Sequence, residues 1–274
     1  MNYNQFELIM KNNKIIKFRV LLLFLPLLLT SKVKAQILLK PIPDKLIVLT
    51  FDDAIVSQAT YVAPLLKKYG FGATFFVCEF TAPPFSDKTK YMSWEQIAML
   101  NKMGFEVGNH TQNHAHVSKL DSLQLTAELK YIEDKCAEYR IPKPTSFAYP
   151  AYDTSPKAIS VLKARGYNFA RQGLDMPYDP LVSHPYLIPG YTIKATNREQ
   201  IYDAFEAAKE GKIVVLTIHG VPDGAHPWVN TPPELFVEYL EYLKKNHYKV
   251  IAMRDMKQYI DMDKAVRLHQ NFKN

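Results

Sequence analysis

Cysteine is scarce in this sequence. Cys78 and Cys136 are the two in 274 residues, too few for a disulfide framework. Cys78 lies in the apolar run T-F-F-V-C, so two separately buried thiols are expected. After Gln36 there is no internal repeat, no low-complexity tract and no linker. One folded unit over residues 36–274 is therefore expected. Excess charge is also missing from that unit. The formal net charge is +7, but residues 1–35 hold six basic residues and one acidic residue, leaving 28 basic and 26 acidic in the rest. A near-neutral remainder gives no reason to expect nucleic-acid binding. The composition is otherwise ordinary for a globular protein, with 47% hydrophobic and 22% charged residues.

A long apolar run is lacking too. The longest stretch, V-L-L-L-F-L-P-L-L-L over residues 20–29, is short for a bilayer span and contains a proline. A basic segment ending at Arg19 precedes it, and S-K-V-K-A follows, with Val33 and Ala35 at small-residue positions. This is the build of a secretory signal cut after Ala35. The expected location is therefore secreted, periplasmic or cell-envelope, with no stable membrane insertion after cleavage. An uncleaved anchor is the competing reading. No cysteine follows the run, so lipid attachment there is not expected.

Short β-branched or aromatic runs alternate with capped amphipathic stretches. The strand-like runs cover residues 46–51, 73–78, 105–109, 146–149, 169–171, 213–218 and 249–253. Helix-start signals stand at Ser57, Ser93 with Gln96, Asp121 or Ser122, Ser155-Pro156, Asn197 and Thr231-Pro232-Pro233-Glu234. Strand-then-helix alternation predicts an α/β fold with parallel strands, either doubly wound or a closed (β/α) barrel.

The polar residues favour the barrel. Asp52-Asp53, His110 with His114, Tyr149-Pro150, Arg171 and His219 each follow or end a strand-like run. Five strands delivering polar residues at their C-terminal ends converge on one face only if the sheet closes. In G-N-H-T-Q-N-H the two histidines are four apart, a spacing that would place both imidazoles on one side of a helical turn. With one carboxylate they form a set that holds a divalent metal and leaves positions open for water and substrate. No glutamate follows His110, so the H-E-x-x-H protease pattern is absent. No G-x-S-x-G nucleophile motif occurs either. His116, turned to another side by its offset from His114, reads as a residue behind the ligands or at the surface. Of the paired aspartates, one can bind the metal and the other can accept a proton from water beside it, and the cation would offset their repulsion.

These residues resemble the NodB-homology polysaccharide deacetylases, carbohydrate esterase family four. T-F-D-D, G-N-H-T-x-x-H, a strand ending in Y-P and a late strand ending in His occur in that family's order. The resemblance implies a distorted (β/α) barrel of about seven strands. It implies Asp52 as catalytic base, Asp53, His110 and His114 as ligands of a divalent metal, commonly zinc, and His219 as general acid. The implied partner is an acetylated glycan. The reaction would remove acetyl groups, foremost the N-acetyl groups of an amino-sugar polymer such as peptidoglycan or a chitin-like glycan.

The chain departs from the family pattern in several places. Ala54 replaces the usual glycine, so either that position needs no positive φ here or the loop differs. F-A-Y-P-A-Y replaces a motif with arginine, leaving Ala148 at the arginine position. Arg171 is expected to supply the missing cation to Asp52 from the next strand. Asp175 is the candidate for holding His219, with Asp179 a poorer one. Tyr149, Pro150, Ala151 and Tyr152 are expected at the substrate, with a backbone N–H near Ala151 facing the oxyanion. Leu216 or Ile218 is expected to wall the acetyl methyl. Trp228, near His226, is open between stacking on a sugar and loop packing. Rival readings are an O-acetyl xylan esterase, a non-catalytic carbohydrate-binding barrel and a small-molecule amidase.

Overall fold

The computed structural model describes residues 37–79 and 87–269. The expected signal segment and the cut after Ala35 lie outside the described residues. No described helix is long and apolar enough to cross a membrane.

Eight strands form one parallel sheet: β1 (Leu46–Phe51), β2 (Thr74–Val77), β3 (Glu106–Asn109), β4 (Ser146–Ala148), β5 (Phe169–Leu174), β6 (Ile188–Thr192), β7 (Val214–Ile218) and β8 (Lys249–Ile251). Strands β1 to β7 close into a ring. β1 pairs with β7 along most of its length. On its other side it pairs with β8 at Leu46–Val48 and with β2 only at Thr50 and Phe51. β8 thus wedges the N-terminal end of the ring open and gives the barrel its distortion.

β6 was not expected, because I-P-G-Y-T carries a proline and a glycine. The pairing explains why it still forms. Arg171 faces Ile188 and Leu174 faces Gly190, with a register shift between them. Pro189, which has no N–H to donate, falls at that irregularity, where a ladder bond is not needed.

Residue alternation sorts the core into two layers. Ile47, Leu49 and Phe51 pack outward with Val62, Leu66 and Phe236 of the flanking helices. Leu46 and Val48 pack inward with Phe76, Ala148, Phe169, Ile188 and Val215. Asp52 continues the inward series of β1, as His219 continues that of β7.

The helices start largely where expected. Ser93 and Asp121 each close a capping box, with Gln96 and Gln124, and Ser155 accepts from Ala158 N. Ser57 differs. It makes no capping bond, and its hydroxyl accepts from Val221 N at 2.9 Å instead. The helix Pro233–Lys245 likewise begins without a side-chain cap, one residue past Pro232. Cys78 and Cys136 are both buried and unbridged.

Glu106 lies buried among the inward residues. It accepts from the Thr74 and Ser146 hydroxyls at 2.6 and 2.7 Å and from Arg254 N at 2.8 Å. Burial pushes its pKa above the ordinary 4.5, although those hydroxyls pull it down. A carboxyl whose pKa is higher folded than unfolded holds its proton more tightly in the folded chain. That stability is complete below the unfolded pKa and is lost as pH rises through the folded one. Thermal midpoints of Glu106→Gln should therefore fall less than wild type above pH 4.5. An unchanged slope would contradict this assignment.

Candidate active site

A cavity of about 560 Å³ opens where the strands end. Asp52, Asp53, His110, His114 and His219 line it, as the strand-end argument requires. Asp53 and Ala54 both adopt left-handed backbone, with φ of 70° and 54°. Ala54 therefore takes the conformation that usually favours glycine. That settles one of the two sequence alternatives: the position does need positive φ. Gln58, unnoticed in the sequence, donates from Nε2 to the carbonyls of Asp52 at 2.5 Å and His219 at 3.1 Å. It ties the ends of β1 and β7 together.

His110 and His114 meet Asp53 as expected, but through a loop rather than a helical turn. Thr111 and His114 have φ of 61° and 50°. Asn109 Oδ1 accepts from Thr111 N, and Thr111 Oγ1 accepts from Ala115 N. The Nε2 atoms of His110 and His114 lie 3.3 and 3.5 Å from Asp53 Oδ1. His110 Nδ1 bonds to Ala148 O at 2.8 Å. A carbonyl can only accept, so Nδ1 carries the proton and neutral His110 presents an Nε2 lone pair to Asp53. Asp53 Oδ1 is buried with no hydrogen-bond donor of good geometry among the described residues. Ligand atoms of all three residues lie within 4.8 Å of one another. Acceptors converging this way fit a divalent cation between them.

The electrostatics of these groups act in the same direction. Burial alone would raise the Asp53 carboxyl, but the His110 contact and the charges of His219 and His114 hold it well below the usual carboxylate range. Burial, then the charge of His110, lowers His114 to about 4. Burial opposes a charge on His110 as well, yet the neighbouring Asp52 and Asp53 carboxylates raise its pKa. A positive charge is wanted at this spot, and either a cation or an imidazolium proton supplies it.

Arg171 reaches Asp52. Its Nη2 lies 2.5 Å from both carboxylate oxygens, and its side chain is fully buried. The rings of Phe76 and Tyr152 flank the guanidinium at 5.5 and 5.6 Å. Strand register explains how Arg171 comes within reach of Asp52. Ala148 and Arg171 are directly paired across β4 and β5, so both sit at the same height on the barrel. Gly190 makes the crossing possible. A Cβ there would stand 2.9 Å from Arg171 Cδ and 2.8 Å from Thr217 Oγ1.

Other expectations need correcting. Asp175 is exposed and accepts from Thr192 N at 3.0 Å. Asp179 accepts from Leu181 N. Neither bonds to His219, whose Nδ1 is buried without a hydrogen-bond partner among the described residues. Leu216 and Ile218 do not face the cavity. They are buried in the outward layer with the helices, because strand alternation puts Thr217 on the side of His219. Tyr149, Ala151 and Tyr152 line the cavity, whereas Pro150 is buried and does not. Tyr149 donates to Tyr186 O at 3.0 Å, and Tyr152 bonds to Thr192 Oγ1 at 2.6 Å. His116 is half exposed near Asp153. Trp228 stands 70% exposed at the mouth.

Sequence reasoning gave no role to Tyr91, Thr192, Lys194 or Val229, which also line the cavity. Nor did it give one to the Asp223–His226 pair. His226 Nδ1 lies 3.3 Å from Asp223 Oδ2 and 3.6 Å from Asp53 Oδ2. The D-x-x-H spacing after Gly220 was the available signal.

The chain matches the polysaccharide deacetylase family model over residues 40–170. It is 26% identical over 222 residues to a peptidoglycan-N-acetylglucosamine deacetylase of Bacillus cereus, covering 80% of this chain and 91% of that protein. It is 27% identical over 127 residues to a chitin deacetylase of Pestalotiopsis sp, covering 46% of this chain and 41% of that protein. The match thus spans about two fifths of that protein's length. Among solved structures, the Xyl-CE4 domain of a multidomain xylanase from the hindgut metagenome of Trinervitermes trinervoides shares the fold. Its TM-score is 0.55 at 20% identity, over 78% of this chain and 90% of that one.

Proposed function

We propose that the protein is a secreted or cell-envelope hydrolase that uses a divalent cation, zinc foremost, to remove N-acetyl groups from an amino-sugar polymer. One observation carries the reading. The convergent acceptors of Asp53, His110 and His114 stand at the base of an open cavity, beside a carboxylate held in place by a buried arginine. The B. cereus and Pestalotiopsis relatives support a glycan substrate. The leader-like composition of residues 1–35 supports export.

Asp53, His110 and His114 would hold the cation. A bound cation would supply Lewis acidity, bringing the pKa of a water toward neutrality. Asp52 takes a proton from the attacking water. Arg171 fixes the carboxylate of Asp52 and favours its ionised, basic form. Ala151, with φ of 50° at the cavity wall, presents its backbone N–H toward the developing oxyanion. His219 delivers a proton to the departing nitrogen. An amide nitrogen leaves only when protonated, whereas an ester oxygen leaves more readily.

Acetate release tests the proposal. Purified protein should release acetate from an N-acetylglucosamine oligomer and lose that activity to a chelator. Release from acetylated xylan alone would replace the N-deacetylase reading with an esterase one. No release from either, with metal bound, would overturn the proposal.

A further inference from the structure

Beyond the metal-binding groups, the loop after β7 builds a second polar device on the cavity wall. Asp223 is buried and accepts from the backbone N–H of Gly220, Ala225 and His226 at 3.0, 2.9 and 2.7 Å. Its own N–H donates to Asn230 Oδ1 at 2.7 Å. Gly220 is necessary for this fold-back, because a Cβ there would lie 2.6 Å from Asp223 Cα. The carboxylate so fixed faces His226 Nδ1 at 3.3 Å. A carboxylate accepts, so Nδ1 is a donor and the ring is oriented. Its other nitrogen, Nε2, lies 3.3 Å from the Tyr91 hydroxyl.

Tyr91 is fixed from the other side. It bridges Ile55, and Met92 N donates to Ala54 O at 2.7 Å. The backbone at Tyr91 is therefore tied to the turn that follows Asp53. Tyr91, His226 and Trp228 all line the cavity, and the indole lies 5.4 Å from the imidazole, centroid to centroid. This wall offers a flat apolar face next to an oriented hydroxyl. A pyranose presents the complementary pattern, with C–H groups on its faces and hydroxyls at its edge.

We propose that Tyr91, backed by His226 and Asp223, reads a ring hydroxyl of the sugar that bears the acetyl group. Tyr91 touches substrate; His226 and Asp223 are positioning residues. The proposal deepens the deacetylase reading and rests on it for the identity of the ligand. It adds selectivity: the site favours acetylated sugars over simple acetamides.

Binding decides it without requiring turnover. Affinities for an N-acetylglucosamine oligomer and for a sugar-free aryl acetamide would be measured with wild type, Tyr91→Phe and Tyr91→Phe/His226→Gln. Tyr91→Phe should weaken the oligomer about tenfold, the effect of one hydrogen bond. The aryl acetamide should shift less than twofold, at an unchanged thermal midpoint. Adding His226→Gln should cost little more, because His226 acts through Tyr91. Equal losses for both ligands, or none for the oligomer, would overturn the proposal, as would a wild type that binds no oligomer. Selective loss of binding in a protein that releases no acetate would overturn the hydrolase reading alone. Intact acetate release with unchanged oligomer binding in Tyr91→Phe would overturn this inference alone.

Discussion

Asp52→Asn should cut kcat for acetate release about 1,000-fold while the protein still binds metal. Asparagine cannot take a proton from water, and loss of a general base typically costs 10² to 10⁴. The substitution also has a structural cost. Arg171 is fully buried and bonds to Asp52 through Nη2, while its Nε and Nη1 are without partners among the described residues. Removing the carboxylate charge leaves that cation uncompensated, a loss on the order of 3–5 kcal/mol. In a domain of this size the thermal midpoint should fall by roughly 10 °C. The same pairing bears on Arg171→Ala. That variant should lose stability as well as turnover, since Arg171 is one half of a buried ion pair. Asp52→Asn assayed well below its midpoint is the cleaner probe. Turnover near wild type would remove Asp52 from its role.

Asp53→Ala should abolish the response of stability to metal. In wild type, a cation held by Asp53, His110 and His114 would stabilise the folded chain by about 4 kcal/mol when free metal is a thousandfold above Kd. Adding a chelator should then lower the wild-type midpoint by roughly 10 °C. Asp53→Ala should show almost no chelator-dependent shift, and its acetate release should fall at least 100-fold. Asp53 Oδ1 is the atom on which both imidazoles converge, so no other described carboxylate can take its place in the set. A chelator shift of wild-type size in Asp53→Ala would show that metal binds elsewhere.

Much of this site was legible because strand ends are simple places. A residue one or two positions past a parallel strand lies at the barrel mouth, and Asp52, Asp53, His110 and His219 follow that rule. Arg171 was expected at a strand end but lies inside β5, where it pairs with Ala148. Face assignment failed at Leu216 and Ile218. Counting back by two from His219 gives Thr217 and Val215, so the two apolar neighbours must point outward. β6 was missed because Pro189 and Gly190 read as breakers. Their roles, a ladder irregularity and a passage for Arg171, depend on neighbours far away in sequence. His219 was assigned Asp175 because a carboxylate was wanted nearby. The folded chain instead gives a carboxylate to His226, through a fold-back that Gly220 permits.

Metal content and acetate release measured on the same purified sample test the central claim most directly. The account predicts about one divalent ion per chain and acetate release from an N-acetylglucosamine oligomer. Both should vanish after chelation and dialysis, and both should return on adding zinc. Full acetate release from a metal-free sample would contradict it.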